Sequence, residues 1–443
     1  MGSLSSMGLL LLLSLNSAEP LAFPEAEGFG KNTPGGRGGK ILFVTNLDDK
    51  GPGSLRAAVD TKGPRIILFR IAGTIELKND LKVTEPFCTI AGQSAPGGGI
   101  CIKGKSFGIR GHDVVVRYLR LRPGDIGGEE LDGLDVTAQN VMIDHCSVSW
   151  GIDETLSVTN SDKVTVQWCF ITESLNKSLH KKGEHGYGSL ISGADGGITY
   201  HHNLYAHHKS RNPRPGGKPD SNGILLDFTN NVIYDWGSTA GYTSETPVRV
   251  NYIGNFLKPG PSTKPDARHR AFTLGGSATH LYVQGNELAG FTPPHSEVEL
   301  LGITKQPDRF PKDYTIAGGL AKSPFPSPLP TIEPADKAVE RVLHEGGATL
   351  PVRDAIDERI VNEYQQTAGH IINIQNEVGA WPTLATGEPT PDSDNDGMPD
   401  AWEEKYSLDP KNPADSNADS DGDGYTNIEE FFNGSDVRGS GTK

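Results

Sequence analysis

The sequence predicts an all-β chain: a right-handed, single-stranded parallel β-helix with C-terminal capping helices and a small acidic tail. Three observations predict it. Among 443 residues, Gly (55) and Pro (31) are abundant, which is too much punctuation for a helical protein and suits short strands between tight turns. One β-rich run recurs from about Ile41 to Leu288. A small residue closes each run at an equivalent place.

Those closing residues are Cys146, Cys169, Asn203, Asn231, Asn255 and Asn286, spaced by 23, 34, 28, 24 and 31 residues. A repeat in this range signals stacked units. Apolar residues alternate within each run, as in a strand with one face buried. The units are too short to hold a crossover helix, so each turn must coil directly onto the last around a shared apolar column. The recurring Asn fits an inward turn residue whose amide bonds to the coils above and below. A Greek-key sandwich would share the strand spacing but not that stacked register. Variable gaps place the long loops on one side, where function gathers.

Residues 1–22 combine a Leu run at Leu9–Leu13 with small residues at Ser17 and Ala18, the pattern of a cleaved export signal, although no basic residue precedes the run. No later stretch approaches the ~20 apolar residues of a membrane span. The predicted product is secreted, with the β-helix domain over 23–320. Among four cysteines, Cys88 and Cys101 flank a Gly-rich turn and are candidates for a bridge. Residues 321–385 begin with the Pro-rich connector Ser323–Pro330. Two amphipathic helices follow, one presenting Val339, Val342 and Leu343 and stopped by Gly346-Gly347, the other presenting Ile356, Ile360, Val361 and Tyr364. They are expected to cover an exposed end of the solenoid.

Residues 386–436 repeat one metal loop. Asp392, Asp394, Asp396, Gly397, Asp400 and Glu403 occupy positions one, three, five, six, nine and twelve of the first copy. Asp419, Asp421, Asp423, Gly424, Asn427 and Glu430 do so in the second, 27 residues on. Alternate oxygen donors, a Gly for the sharp turn and a closing bidentate carboxylate suit a hard cation. The pair resembles the EF-hand-like calcium repeats of secreted bacterial proteins, with Trp402, Phe431 and Phe432 as a small core. A solvated acidic linker would not repeat the spacing.

The net charge is -15, which argues against nucleic acid as a partner. Against that background Lys177, Lys181, Lys182, Lys209, Arg211, Arg214 and Lys218 cluster with only Glu184 and Asp195 for company, and six of the thirteen His lie in the same stretch. Such a patch suits a polyanionic ligand. Just upstream, Asp132, Asp135, Asp144, Asp153 and Glu154 fall on adjacent coils. Asp132 and Asp153 are 21 residues apart, roughly one coil, so they stack at about 4.8 Å and could converge on a cation or simply serve as turn residues.

Val141-Met-Ile-Asp-His-Cys-Ser147 resembles the strand motif of pectate lyases, and His201-His-Asn203 followed by Arg211-x-Pro213 resembles their second signature. The segment Phe23–Gly30 is similar to the mature start of bacterial members. The resemblance covers roughly residues 23–385. It implies calcium held by Asp132 and Asp153, with Glu154 standing in for an acidic partner where this chain has Ser157. It also implies Arg211 as the catalytic base and Lys182 and Arg214 as substrate-binding cations. The expected partner is an acidic polysaccharide, pectate, and the expected state a monomer.

The implied chemistry is β-elimination. A base removes the C5 proton beside the uronate carboxylate, the C4–oxygen bond breaks, and an unsaturated end forms without water. Arginine normally stays protonated; calcium, Lys182 and Arg214 nearby would favour its neutral form. His185 and His208 are placed beside the substrate and would serve as base nearer neutral pH. Two rivals share the fold. A hydrolase would use Asp132, Asp153 and Glu154 as acid and base but leaves the Arg-rich strand unexplained, and a carbohydrate-binding solenoid would bind without yielding product.

Overall fold

A computed structural model describes residues 20–292 and 296–438. Most of the candidate export signal therefore lies outside the described residues. Every strand pairing is parallel. One sheet has ten strands running from Lys40–Val44 to Thr279–Gln284, a second has nine from Gly73–Glu76 to Glu287–Leu288, and a third has six from Leu81–Val83 to Arg214–Gly216. Three short strands from Gly241–Tyr242 to Thr304–Lys305 form a further sheet. Each coil gives one strand to each face, and the inward residues make one continuous column, with Ile90, Val116, Ile143, Val166, Tyr200 and Phe228 at successive levels. Each such aliphatic side chain contributes about 1.5–3 kcal/mol by burial.

The closing residues stack as the repeat requires. Asn203 accepts the Cys169 N–H at 2.9 Å, Asn231 accepts the Asn203 N–H at 3.0 Å, and Asn255 and Asn286 continue the ladder. Cys146 and Cys169 occupy the same column at its start, with the Cys146 N–H 3.4 Å from the Cys169 sulfur. Before each ladder residue the chain turns through a left-handed conformation, at His145, Trp168, His202 and Asn230, then Gly254 and Gly285. Ring stacking offsets the strain at the bulky positions, with Tyr118–His145 centroids 4.8 Å apart and Trp168–His202 centroids 4.3 Å apart.

Three segments wrap the coil. Ala22, Phe23 and Ala26 bury against Val115 and Met142 on the outer face of the ten-stranded sheet. Gly28, at φ +76, passes where a Cβ would lie 2.6 Å from Thr199. The Pro-rich connector crosses the same face, where the Phe325 N–H donates to Asn251. The helices Ala335–Glu345 and Ala355–Gln366 form as read, but they lie along a side of the solenoid and not over an end. The reason is chemical. The nine-stranded sheet presents Phe170, Leu204, Ala206, Val232 and Tyr234 outward, and Val342, Ile360 and Tyr364 cover them. A buried ionic cluster pins the second helix, with Arg122 engaging Asp354 and Asp357.

Cys88 and Cys101 are not bridged; all four cysteines are free and buried. Cys88 opens a strand of the ten-stranded sheet and Cys101 sits in the nine-stranded one, so the intervening turn carries them to different faces.

Candidate active site

The site forms along one edge of the six-stranded sheet. Glu154, Tyr187 and Ser210 pair in parallel on consecutive coils, and Arg211 follows Ser210 in a left-handed conformation. This register brings together residues that are 57 positions apart: an Arg211 Nη1 engages a Glu154 carboxylate oxygen. The guanidinium is further fixed by Nε donating to the Tyr242 hydroxyl at 3.0 Å and by lying 4.0 Å from the centre of the Tyr187 ring.

Asp132, Asp153 and Glu154 each place a carboxylate oxygen within 4.8 Å of the others. The Glu154 N–H donates to Asp132 at 2.9 Å, locking the two coils together. Burial pushes Asp132 up to about 8. The neighbouring charges of Asp153 and Asp135 act in the same sense, while Ser157 and Arg211 pull the other way. Three anionic groups held this close repel one another. The set is all oxygen, which fits a hard divalent cation such as calcium. Asp135 takes no part, being paired with Arg110.

Of the other expected site residues, Lys182 is exposed. Arg214 lines a cleft of about 400 Å³ with Tyr242, Glu245, Gln306 and Arg309, and burial together with Arg211 lowers its affinity for a proton. His185 is 4% exposed and is turned to the carboxylates, with Nε2 2.6 Å from Asp153. His180 stacks on it at 3.6 Å. The Lys182 N–H donates to His180 Nδ1, so the neutral ring carries its proton on Nε2, which faces Asp153 and Glu130 at 3.5 Å. Burial, outweighing Asp153, holds His185 below the usual His range. Its ring meets Asp153 from the buried side.

His208 does not belong to the site. It is fully buried, with Nδ1 taking the Ser174 hydroxyl at 2.7 Å and Nε2 donating to the Ile171 carbonyl at 2.8 Å. Burial lowers it to about 3, and no substrate could reach it. The basic patch is also smaller than its residue count, because Lys177 and Lys209 pair with Glu184 and Lys181 with Glu130. Tyr187, Tyr242 and His180 were not legible as site residues. Tyr187 and Tyr242 carry no motif and His180 is one of six His in its stretch, and only the coil register carries each to Arg211 or Asp153.

In the tail, Asp392, Asp394 and Asp396 converge, as do Asp419, Asp421 and Asp423. Glu403, Glu430 and Asn427 are buried, as closing ligands of such loops would be. Asp400 does not join its loop. It begins the helix Asp400–Tyr406, and its carboxylate accepts both the N–H and the hydroxyl of Ser393 at 2.7 Å.

No family model matches the sequence. Curated proteins do. The chain is 37% identical over 429 residues to "Probable pectate lyase C" of Aspergillus fumigatus, covering 93% of each chain. It is 36% identical over 437 residues to the protein of that name in Emericella nidulans, covering 96% of this chain and 95% of the other. Among solved structures it is similar to jun a 1, the major allergen from cedar pollen, with TM-score 0.48 and 19% identity, covering 73% of this chain and 92% of that one. With identity above one third sustained along nearly the whole of both sequences, this chain belongs to the pectate lyase family.

Proposed function

We propose that the protein is a calcium-dependent lyase that cleaves pectate by β-elimination, leaving 4,5-unsaturated ends. The observation that carries this reading is the juxtaposition of the Asp132, Asp153 and Glu154 carboxylates with Arg211 on one edge of the coil. A bound cation would offset the charge that develops on the uronate carboxylate as its neighbouring carbon is deprotonated.

The chain's own residues do the rest. Asp132 and Asp153 come from adjacent coils, and His185 and His180 fix the orientation of Asp153 from behind. Arg211 stands two coils beyond Asp153, clamped by Tyr187 and Tyr242, and its guanidine, in the neutral form, takes the C5 proton. The electron pair released there forms the C4–C5 double bond, and the C4–oxygen bond breaks with its electrons going to the departing oxygen, which takes up a proton from solvent. Arg214 and Lys182 flank the site as cations for uronate carboxylates of neighbouring sugars. Glu154 holds Arg211 in place between turnovers. We read the enzyme as an exported monomer, and the tail loops as two further calcium sites.

Purified protein incubated with polygalacturonate and calcium should raise the ultraviolet absorbance of a conjugated double bond, and excess chelator should stop it. New reducing ends without that absorbance would show a hydrolase instead. Retention of protein on pectate with no product would show a binding solenoid.

A further inference from the structure

We infer that the first tail loop is closed by Asp415, reaching in from the linker between the two repeats, and that its ion locks the tail onto the first coils as a clamp. The inference rests on the reading of the tail loops as calcium sites. It goes further in naming a ligand that the loop spacing does not contain and a mechanical role for the ion.

With Asp400 committed to Ser393, the loop lacks its ninth-position donor. Asp396, Glu403 and Asp415 fill the gap, with carboxylate oxygens within 4.8 Å of one another, and Asp396 is shared with the cluster of Asp392 and Asp394. Glu403 is 0% exposed, and neither of its carboxylate oxygens has a hydrogen-bond partner among the described residues. The same holds for one oxygen each of Asp394, Asp396 and Asp415. Buried carboxylates left this way require either protons or a cation, and the five carboxylates converging here from three segments fit a cation. Asp415 is itself held from the second repeat, since its carbonyl accepts the Asn427 Nδ2 at 2.9 Å. The first site therefore cannot assemble until the second repeat is in position.

The same elements grip the solenoid. Met398, from the first loop, and Ile428, from the second repeat's helix, are 0% exposed and pack on Ile66, Leu68 and Ala91. Gly397, at φ +98, lies where a Cβ would meet Leu68 at 2.6 Å, so the loop's Gly serves the contact as well as the turn. Arg70 pairs with Asp392 at 2.6 Å while its guanidinium covers Phe43 at 3.6 Å, and Arg37 pairs with Glu429 at 2.9 Å. An ion that gathers Asp392, Asp394, Asp396, Glu403 and Asp415 draws loop, helix and linker together and presses Met398 onto the coil. Without it those carboxylates repel and the docked face opens.

The test uses the full chain. Terbium titration, read by sensitised luminescence, is compared for wild type, Asp415→Asn and Asp400→Asn, alongside tryptic release of the tail in calcium and in chelator. Asp415→Asn should weaken one tail site by about tenfold or more, while Asp400→Asn should change it by less than about threefold. In wild type, chelator should release the tail while the β-sheet circular dichroism of the solenoid persists. Equal or greater weakening by Asp400→Asn would overturn the assignment of Asp415. A wild-type tail equally resistant in chelator would overturn the clamp, whatever the variants do. Unchanged terbium stoichiometry in Asp396→Asn would instead show that the first loop binds no ion, and the calcium reading of that loop would fail with it.

Discussion

Removing Arg211 perturbs two things at once, and the structure allows them to be separated. Glu154 has a side chain only 3% exposed and Arg211 one 18% exposed. Arg211→Ala therefore leaves a buried carboxylate without its partner. Breaking such a pair costs about 3–5 kcal/mol when both groups are fully buried, and the partial exposure of Arg211 places this case at the lower end. The lost Tyr242 hydrogen bond adds about 1 kcal/mol. Glu154→Gln in the same chain removes the stranded charge and should restore most of that stability. Turnover should not return. Loss of a general base costs about a hundredfold or more, or about 2.7 kcal/mol of barrier, and no repair of Glu154 replaces the base. The assay is initial rate of ultraviolet absorbance on polygalacturonate, paired with denaturant unfolding of each variant. Residual activity in Arg211→Ala above about a tenth of wild type would take the base role away from Arg211. A single variant as stable as wild type would refute the ion-pair argument.

Three further outcomes are expected. Asn231→Ala leaves the Asn203 N–H and the Tyr200 carbonyl without their partners in the ladder, so denaturant unfolding should show a loss of about 2–4 kcal/mol with the pH profile of catalysis unchanged. His207, fully buried between Asp235 and Glu363, is raised to about 9, burial being outweighed by the hydrogen bonds its ring donates to those carboxylates. A raised His stabilises the fold fully below its unfolded value near 6.5, and that contribution is lost as pH rises through 9. The loss is about 3 kcal/mol, and melting curves between pH 6 and 10 should flatten in His207→Gln. All four cysteines are free and buried, so thiol reagent should label none in the native protein and four after denaturation; a deficit of two would refute the free-thiol assignment.

The coil was legible because it is periodic. An Asn recurring at the end of each β run states both the stacking and the side that faces inward, and the ladder from Asn203 to Asn286 follows from it. The covering of the solenoid was not legible in the same way. The helix faces Val342 and Ile360 are plain in the sequence, but their target is not. Outward Phe170, Leu204 and Val232 come from coils that no local pattern distinguishes from those that face solvent. Asp400 makes a related point. Loop spacing fixes which residues can reach an ion, and it cannot show that Ser393 takes one of them first.

The two signature stretches teach the opposite lesson, because most of their residues do no chemistry. Asp144 is buried and engaged by Arg117, His145 and Gln167. Cys146 stands in the ladder, and Ser147 accepts the Ala348 N–H beneath the helices. His201 and His202 bond to Gln167 and Glu333. Those motifs mark how the coils stack, and stacking is what delivers Arg211 to Glu154. The same stacking bears on the Ser157 departure. Ser157 is in register with Asp135, which Arg110 pairs with, and its side chain also acts on Asp132, so an acidic side chain at that place would add a further charge to the carboxylate cluster. Glu154, three residues earlier and paired with Arg211 across two coils, brings a third carboxylate to Asp132 and Asp153. It then serves two neighbours with one charge. Glu154 thus ties the carboxylate cluster to Arg211 through one side chain, so Glu154→Gln is expected to weaken terbium binding at that cluster as well as loosen Arg211, and unchanged terbium affinity would refute the link.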